Sequence, residues 1–160
     1  DMAGRPIPNA QVALVAPNGT YLKAMTNEDG LAVLRLPDRH PGTLYVAAPG
    51  HRAYLQLDFT PQDEARVVLD VLPQGGATLI EQSEAQVPGL SGRLTPLEDQ
   101  LDRHYIYGDN ISFDDSYAQP HPFEEGRDFV AEDAYRQRFR IIIVQMVGRT
   151  GLLQYQREDR

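Results

Sequence analysis

Apolar and polar positions alternate with period two through the first half of the chain. Gln11 to Val15, Tyr21 to Met25, Leu31 to Leu36, Leu44 to Ala48, Tyr54 to Asp58 and Arg66 to Leu72 each carry aliphatic, aromatic or β-branched residues in this rhythm. That is the spacing of a half-buried strand. Between the runs stand Pro17-Asn18-Gly19, Asp29-Gly30, Pro41-Gly42 and Pro49-Gly50. Each supplies a preset φ or tolerates a positive one, as tight turns require. Short strands separated by turns at about ten-residue spacing predict a sandwich or barrel. The predicted core is Val12, Leu14, Val33, Leu44, Val46, Leu55, Leu57, Val67 and Leu69, the apolar positions of the alternating runs.

The same region carries Gly4-x-Pro6-Ile7-x-x-Ala10-x-Val12-x-Leu14, then Thr26-x-x-Asp29-Gly30, an aliphatic run, and Gly50-His51 before Tyr54. In these residues, within 1 to about 72, the chain resembles the carboxypeptidase regulatory-like family of transthyretin-like sandwiches. The resemblance implies a non-catalytic accessory domain. It also implies a further strand upstream of Asp1, where that family opens. One branch of the wider fold hydrolyses a purine-degradation intermediate and depends on a terminal Tyr-Arg-Gly-Ser. This chain ends Gln154-Tyr-Gln-Arg-Glu-Asp-Arg160, so that activity is not implied.

Pro73-Gln-Gly75-Gly76 reads as a turn or short linker. Beyond it the texture changes. Ala77 to Glu81, Tyr105 to Tyr107, Ile111 to Phe113 and Tyr135 to Val147 are strand candidates, and Gly148-Arg-Thr-Gly151 suggests a hairpin into Leu152 to Tyr155. Thr95-Pro96-Leu97-Glu98 has the spacing of a capping box with proline at the first helical position, which predicts a short helix ending near Asp102. The expected fold class is therefore mainly β: an antiparallel transthyretin-like sandwich at residues 1–74, then a small β-barrel-like or mixed β domain at 77–160 with one short helix.

Charge and composition narrow the function. The net charge is −8, from 23 acidic and 15 basic residues. Such a balance disfavours a general nucleic-acid surface or attraction to anionic lipid. No apolar run approaches the roughly 20 residues of a membrane-spanning helix. With no cysteine, disulfides, thiol catalysis and cysteine-based zinc sites are excluded.

Candidate chemistry is sparse. Asp109 to Asp115 alternates oxygen ligands, but the glycine and glutamate of a calcium loop are absent, and a solvated strand entering an acidic turn explains the pattern. His40, His51, His104 and His121 form no His-x-His or His-x-x-x-His pair, so neither metal nor cofactor is expected. Gly89-Leu-Ser91-Gly lacks the nucleophile-elbow spacing. Carboxylate pairs such as Glu124-Glu125 are expected by chance in so acidic a chain.

Arg136, Arg138 and Arg140 recur at period two and would project from one strand face. They suit an anionic partner, or else pair with the acids between Glu124 and Asp133, the reading preferred here. Tyr105 and Tyr107 are a second possible partner-binding pair, as amphipathic rings are enriched at interfaces. The expected function is a non-catalytic binding or positioning module, not an enzyme, recognising another protein or another domain of the same polypeptide through loops and edge strands. No nucleic acid and no membrane insertion are expected. The alternatives are a hydrolase or metal-dependent enzyme using the His104 to His121 segment, and a structural spacer.

Overall fold

A computed structural model describes residues 3–158. The extreme ends of the two predicted domains, residues 1–2 and 159–160, lie outside the described residues. Among the described residues every regular element is a strand: β1 (Gln11–Val15), β2 (Tyr21–Met25), β3 (Gly42–Ala47), β4 (Pro49–His51), β5 (Tyr54–Phe59), β6 (Val71–Ile80), β7 (Leu94–Glu98), β8 (His104–Gly108), β9 (Ser112–Phe113), β10 (His121–Phe123), β11 (Asp128–Glu132), β12 (Arg138–Val147) and β13 (Thr150–Arg157). They form a four-stranded sheet in the order β2-β1-β3-β5, a six-stranded sheet β4-β6-β13-β12-β11-β9 and a three-stranded sheet β10-β8-β7.

The six-stranded sheet is the central layer. Successive residues of β13 show why: Leu152 packs with Ala13, Val15, Tyr45, Ala47, Ala77 and Leu79 toward the four-stranded sheet. Its neighbour Leu153 packs with Leu94, Ile106, Phe113, Phe129 and Ile141 toward the three-stranded sheet. Period-two alternation thus gives both faces of β13 an apolar row. The outer face of the four-stranded sheet is covered in turn, with Leu44 and Val46 packing on Leu69 and Ala10.

This layering corrects the transthyretin-like sandwich. Residues up to 72 do not close two sheets on each other: β4 and the start of β6 leave for the six-stranded sheet, and much of the layer facing β1 and β3 comes from β6 and β13. Pro73–Gly76, expected as a turn or linker, lies inside β6. Leu31–Leu36, expected as a strand, forms none; Leu31 is 62% and Val33 75% exposed. The Asn27 side chain accepts hydrogen bonds from the Asp29 and Leu31 amides, and the Asn27 amide donates to Leu31 O. This loop carries the run away without a pairing partner. Of the other predicted core positions, Leu44, Val46 and Leu69 are buried; Val12, Leu14, Leu55 and Val67 are half-buried; Leu57 is exposed.

The expected helix is absent as well. Thr95–Glu98 belongs to β7, paired with β8 from Leu94↔Gly108 to Glu98↔His104. Leu94 and Pro96 point into the core, so the apolar period is two rather than 3.6. Proline is tolerated because β7 is an edge strand. The reversal that follows is built by Asp99, whose carboxylate accepts from the Leu101 and Arg103 amides.

Candidate functional site

β12 is interrupted by a bulge between Ile143 and Gln145. The extra residue turns both Val144 and Gln145 toward the four-stranded sheet, where Gln145 Oε1 accepts a 2.6 Å hydrogen bond from the Tyr45 hydroxyl. Tyr45 is fully buried, and burial, with the Glu125 carboxylate nearby, pushes its phenol up. The bulge also docks the 124–127 loop: the Gly126 amide donates to Ile143 O at 2.8 Å, and the Met146 amide donates to Glu125 Oε2 at 3.2 Å.

Glu125 is thereby aimed at β8. Its Oε1 lies 3.4 Å from His104 Nε2, and Glu98 Oε2 approaches the same nitrogen to 3.8 Å. Only 13% of the His104 side chain is exposed, and Nε2 is buried without a well-directed hydrogen bond. Burial pushes the Glu98 carboxyl up; the His104 imidazole works against this, and the carboxylates of Asp102 and Glu125 add to it. Two carboxylates from different loops and strands therefore share one imidazole, an arrangement able to hold and pass a proton.

Glu98 also opens onto solvent. With Ser83, Leu97, Asp99, Gly148 and Arg149 it lines an open cleft of about 420 Å³. Gly148-Arg149 is the two-residue turn of the β12–β13 hairpin, with Gly148 at φ +62°. The Arg149 guanidinium is steadied by Ser83 Oγ at 3.4 Å and Gln82 O at 3.2 Å, and it engages no carboxylate among the described residues. The cleft thus sets one guanidinium beside the carboxyls of Glu98 and Asp99, the first pushed up by burial.

His121 lies along the same aromatic row. Its ring stacks on Phe113 at 5.4 Å and meets Phe129 at 5.7 Å, Phe129 meets Phe123 at 6.2 Å, and Phe123 meets His104 at 5.2 Å. Asp114 Oδ2 is 3.4 Å from His121 Nε2. The two histidines of the His104 to His121 segment are therefore joined through phenylalanines, each beside its own carboxylates. Asp114 has left-handed φ and its carboxylate accepts from the Val130 amide; Asp115 pairs with Arg138.

The sequence-predicted site residues are dispersed. Arg136 is in the turn before β12 at φ +64°, not in the strand row. Arg138 pairs with Asp115 at 2.8 Å and Glu132 at 3.7 Å. Arg140 pairs with Asp128 at 2.5 Å and Glu158 at 3.4 Å. Tyr105 and Tyr107 lie on the outer face of β8, opposite the inward Ile106, with the Arg103 guanidinium 6.0 Å from the Tyr105 ring. Since Ile106 and Phe139 belong to one core, the tyrosines and the β12 arginines are on opposite sides of it. Glu98, Glu125 and Arg149 were missed. Glu98 carried the signal of a helix cap, Glu125 that of a chance acidic pair and Arg149 that of a turn, and nothing in their spacing links them.

No family model and no solved structure matches the chain. A curated protein does: the 3′ cyclic ADP-D-ribose synthase AaTIR of Aquimarina amphilecti is 32% identical over 127 residues. The match covers 79% of this chain and 38% of the relative, so the chain spans well under half of that protein's length. This similarity overturns the carboxypeptidase regulatory-like assignment, which the sheet topology had already opened. It also corrects the reading of a non-catalytic module and of a protein that is not an enzyme, because the relative is an enzyme. The comparison favours the enzyme alternative over the non-catalytic reading. The expected partner, another protein or another domain of the same polypeptide, agrees with the comparison: in the relative, the matched stretch is continuous with further chain. No helix among the described residues is long and apolar enough to cross a membrane.

Proposed function

We propose that this chain shares in an enzyme activity that rearranges an ADP-ribosyl group, as its relative's name describes. The observation that carries the proposal is the 32% identity over 127 residues to a 3′ cyclic ADP-D-ribose synthase. Forming a cyclic product requires three events. The bond from the anomeric carbon to its leaving group breaks, another atom of the same molecule bonds to that carbon, and the proton of the attacking hydroxyl goes to a base. The Glu98 cleft has groups suited to this. Arg149 offers a planar cation for a phosphate. Glu98 offers a carboxyl to the cleft, and His104 and Glu125 behind it offer a route for the proton.

The test is to incubate the full-length gene product with nicotinamide adenine dinucleotide and follow nicotinamide release and cyclic ADP-ribose by chromatography and mass spectrometry. Cyclic product is expected, and Glu98→Gln should lower its rate by a factor on the order of 10² or more with little change in KM. Failure to consume the dinucleotide, or turnover untouched by Glu98→Gln, would remove the reading.

A further inference from the structure

A second cleft, away from Glu98, has the composition of a ligand site. Pro49, Gln74, Gly75, Pro88, Phe139, Tyr155 and Arg157 line an open depression of about 490 Å³ where β6, β12 and β13 come together. That volume is in the range of small-molecule sites. Among the described residues no carboxylate lines it, in a chain with 23 acidic residues. The Arg157 guanidinium lies 5.8 Å from the centroid of the Phe139 ring and makes no ion pair among the described residues. By contrast, Arg138 and Arg140, also on this sheet, are each held by two carboxylates.

The second polar group is Tyr155. Its ring is buried against Phe139, with centroids 6.2 Å apart, and its hydroxyl has no hydrogen-bond partner among the described residues. The hydroxyl packs close against Gly76, where a Cβ would lie 2.7 Å from the phenol oxygen. Burial pushes the phenol up, so it remains a donor at neutral pH. The cleft therefore offers one held guanidinium, one unengaged O–H and one amide, Gln74, between the flat apolar faces of Pro49 and Pro88.

We infer that this cleft binds a mononucleotide, with the phosphate on Arg157 and Tyr155 and the planar base against the prolines and the Gln74 amide. The guanidinium and phenol select an anion with acceptor oxygens. The apolar walls and the volume select a planar body larger than inorganic phosphate alone. The inference goes beyond the synthase reading and stands on separate residues.

Isothermal titration of the intact chain with AMP, adenosine and inorganic phosphate tests it without any turnover. AMP should bind, with adenosine and phosphate each at least about tenfold weaker. Arg157→Gln should weaken AMP about tenfold, Arg157→Lys less, and Tyr155→Phe by a smaller factor, each with an unchanged melting temperature in the absence of AMP. Glu98→Gln should leave AMP affinity unaltered. The inference is overturned by no AMP binding up to about 10 mM, by adenosine or phosphate binding as tightly as AMP, or by AMP binding that Glu98→Gln abolishes and Arg157→Gln spares. Loss of the synthase reading alone would leave these affinities standing.

Discussion

The two faces of the central sheet are built by opposite means. Toward the three-stranded sheet the contacts are large: Phe113, Ile106, Ile111, Ile141, Ile143 and Leu153 are fully buried. Toward the four-stranded sheet they are mixed, with Ala13, Ala47 and Ala77 among Val15, Leu79, Leu152 and the buried Tyr45. There, polar cross-links take over. Gln11 Oε1 accepts from the Leu79 amide, Gln154 Oε1 from the Ala53 amide, and Gly19 O from the Thr150 hydroxyl. The Tyr21 hydroxyl donates to Glu81, which Lys23 also pairs. The first face is held by apolar volume. The second adds directed bonds to a smaller apolar cluster, and these bonds specify register. His104 with Glu98 and Glu125, and His121 with Asp114, lie at the rim of the large-residue face.

Truncation and overpacking separate the two faces. Phe113→Ala or Ile141→Ala should cost about 3–5 kcal/mol in urea unfolding, the cavity cost of a closed core. Ala47→Leu on the other face should cost about 1–3 kcal/mol, because the fully buried Ala47 has no free volume beside it. Equal tolerance at Ala47 and at exposed Leu57 would end the distinction.

Tyr45→Phe isolates the directed bonds. It leaves the ring and removes the donor to Gln145, for an expected loss of about 1–2 kcal/mol. The same loss in the Gln145→Met variant, without additivity in the double variant, would assign it to that bond. Because β6 runs unbroken through Pro73–Gly76, limited proteolysis should not cut there before the exposed 31–36 segment is cleaved.

The smallest effects are pH-dependent and of opposite sign at the two rims. The Glu98 carboxyl is raised on folding, so ionising it opposes the fold. Glu98→Gln should therefore raise the melting temperature at pH 7, with the gain fading as pH falls through the raised value and absent below the ordinary 4.5. At Glu81 burial pulls upward, but the Tyr21 and Lys23 hydrogen bonds outweigh it and hold the carboxyl low. Its contribution is present above 4.5 and is lost as pH falls through the depressed value, so Glu81→Gln should destabilise at pH 7 and become neutral in acid. As the pair is partly exposed, the change should stay below about 1 kcal/mol.

Local rules were enough for local features. The alternation of Gln11–Val15, Tyr21–Met25 and Tyr54–Asp58 marks real strands, and Gly148-Arg149 marks a real hairpin, because period and turn chemistry are set by neighbours in sequence. Leu31–Leu36 and Thr95–Glu98 show where such rules stop. The first has the strand rhythm but no edge to pair with. The second has the cap residues of a helix, but its apolar side chains fit the layer above Ile141 only as a strand. Whether a segment pairs, and which layer it joins, depends on partners about a hundred residues away, such as Gln145 for Tyr45. The candidate sites belong to this second kind of information. Glu98, His104 and Glu125 meet because β7, β8 and a bulge in β12 converge. Arg157 faces a cleft that no carboxylate lines among the described residues, because β6, β12 and β13 leave it there. Sequence alone determined the residue chemistry and the strand rhythm; only the tertiary structure decided which charges would share a space, since electrostatic pairing depends on separation in space and not along the chain.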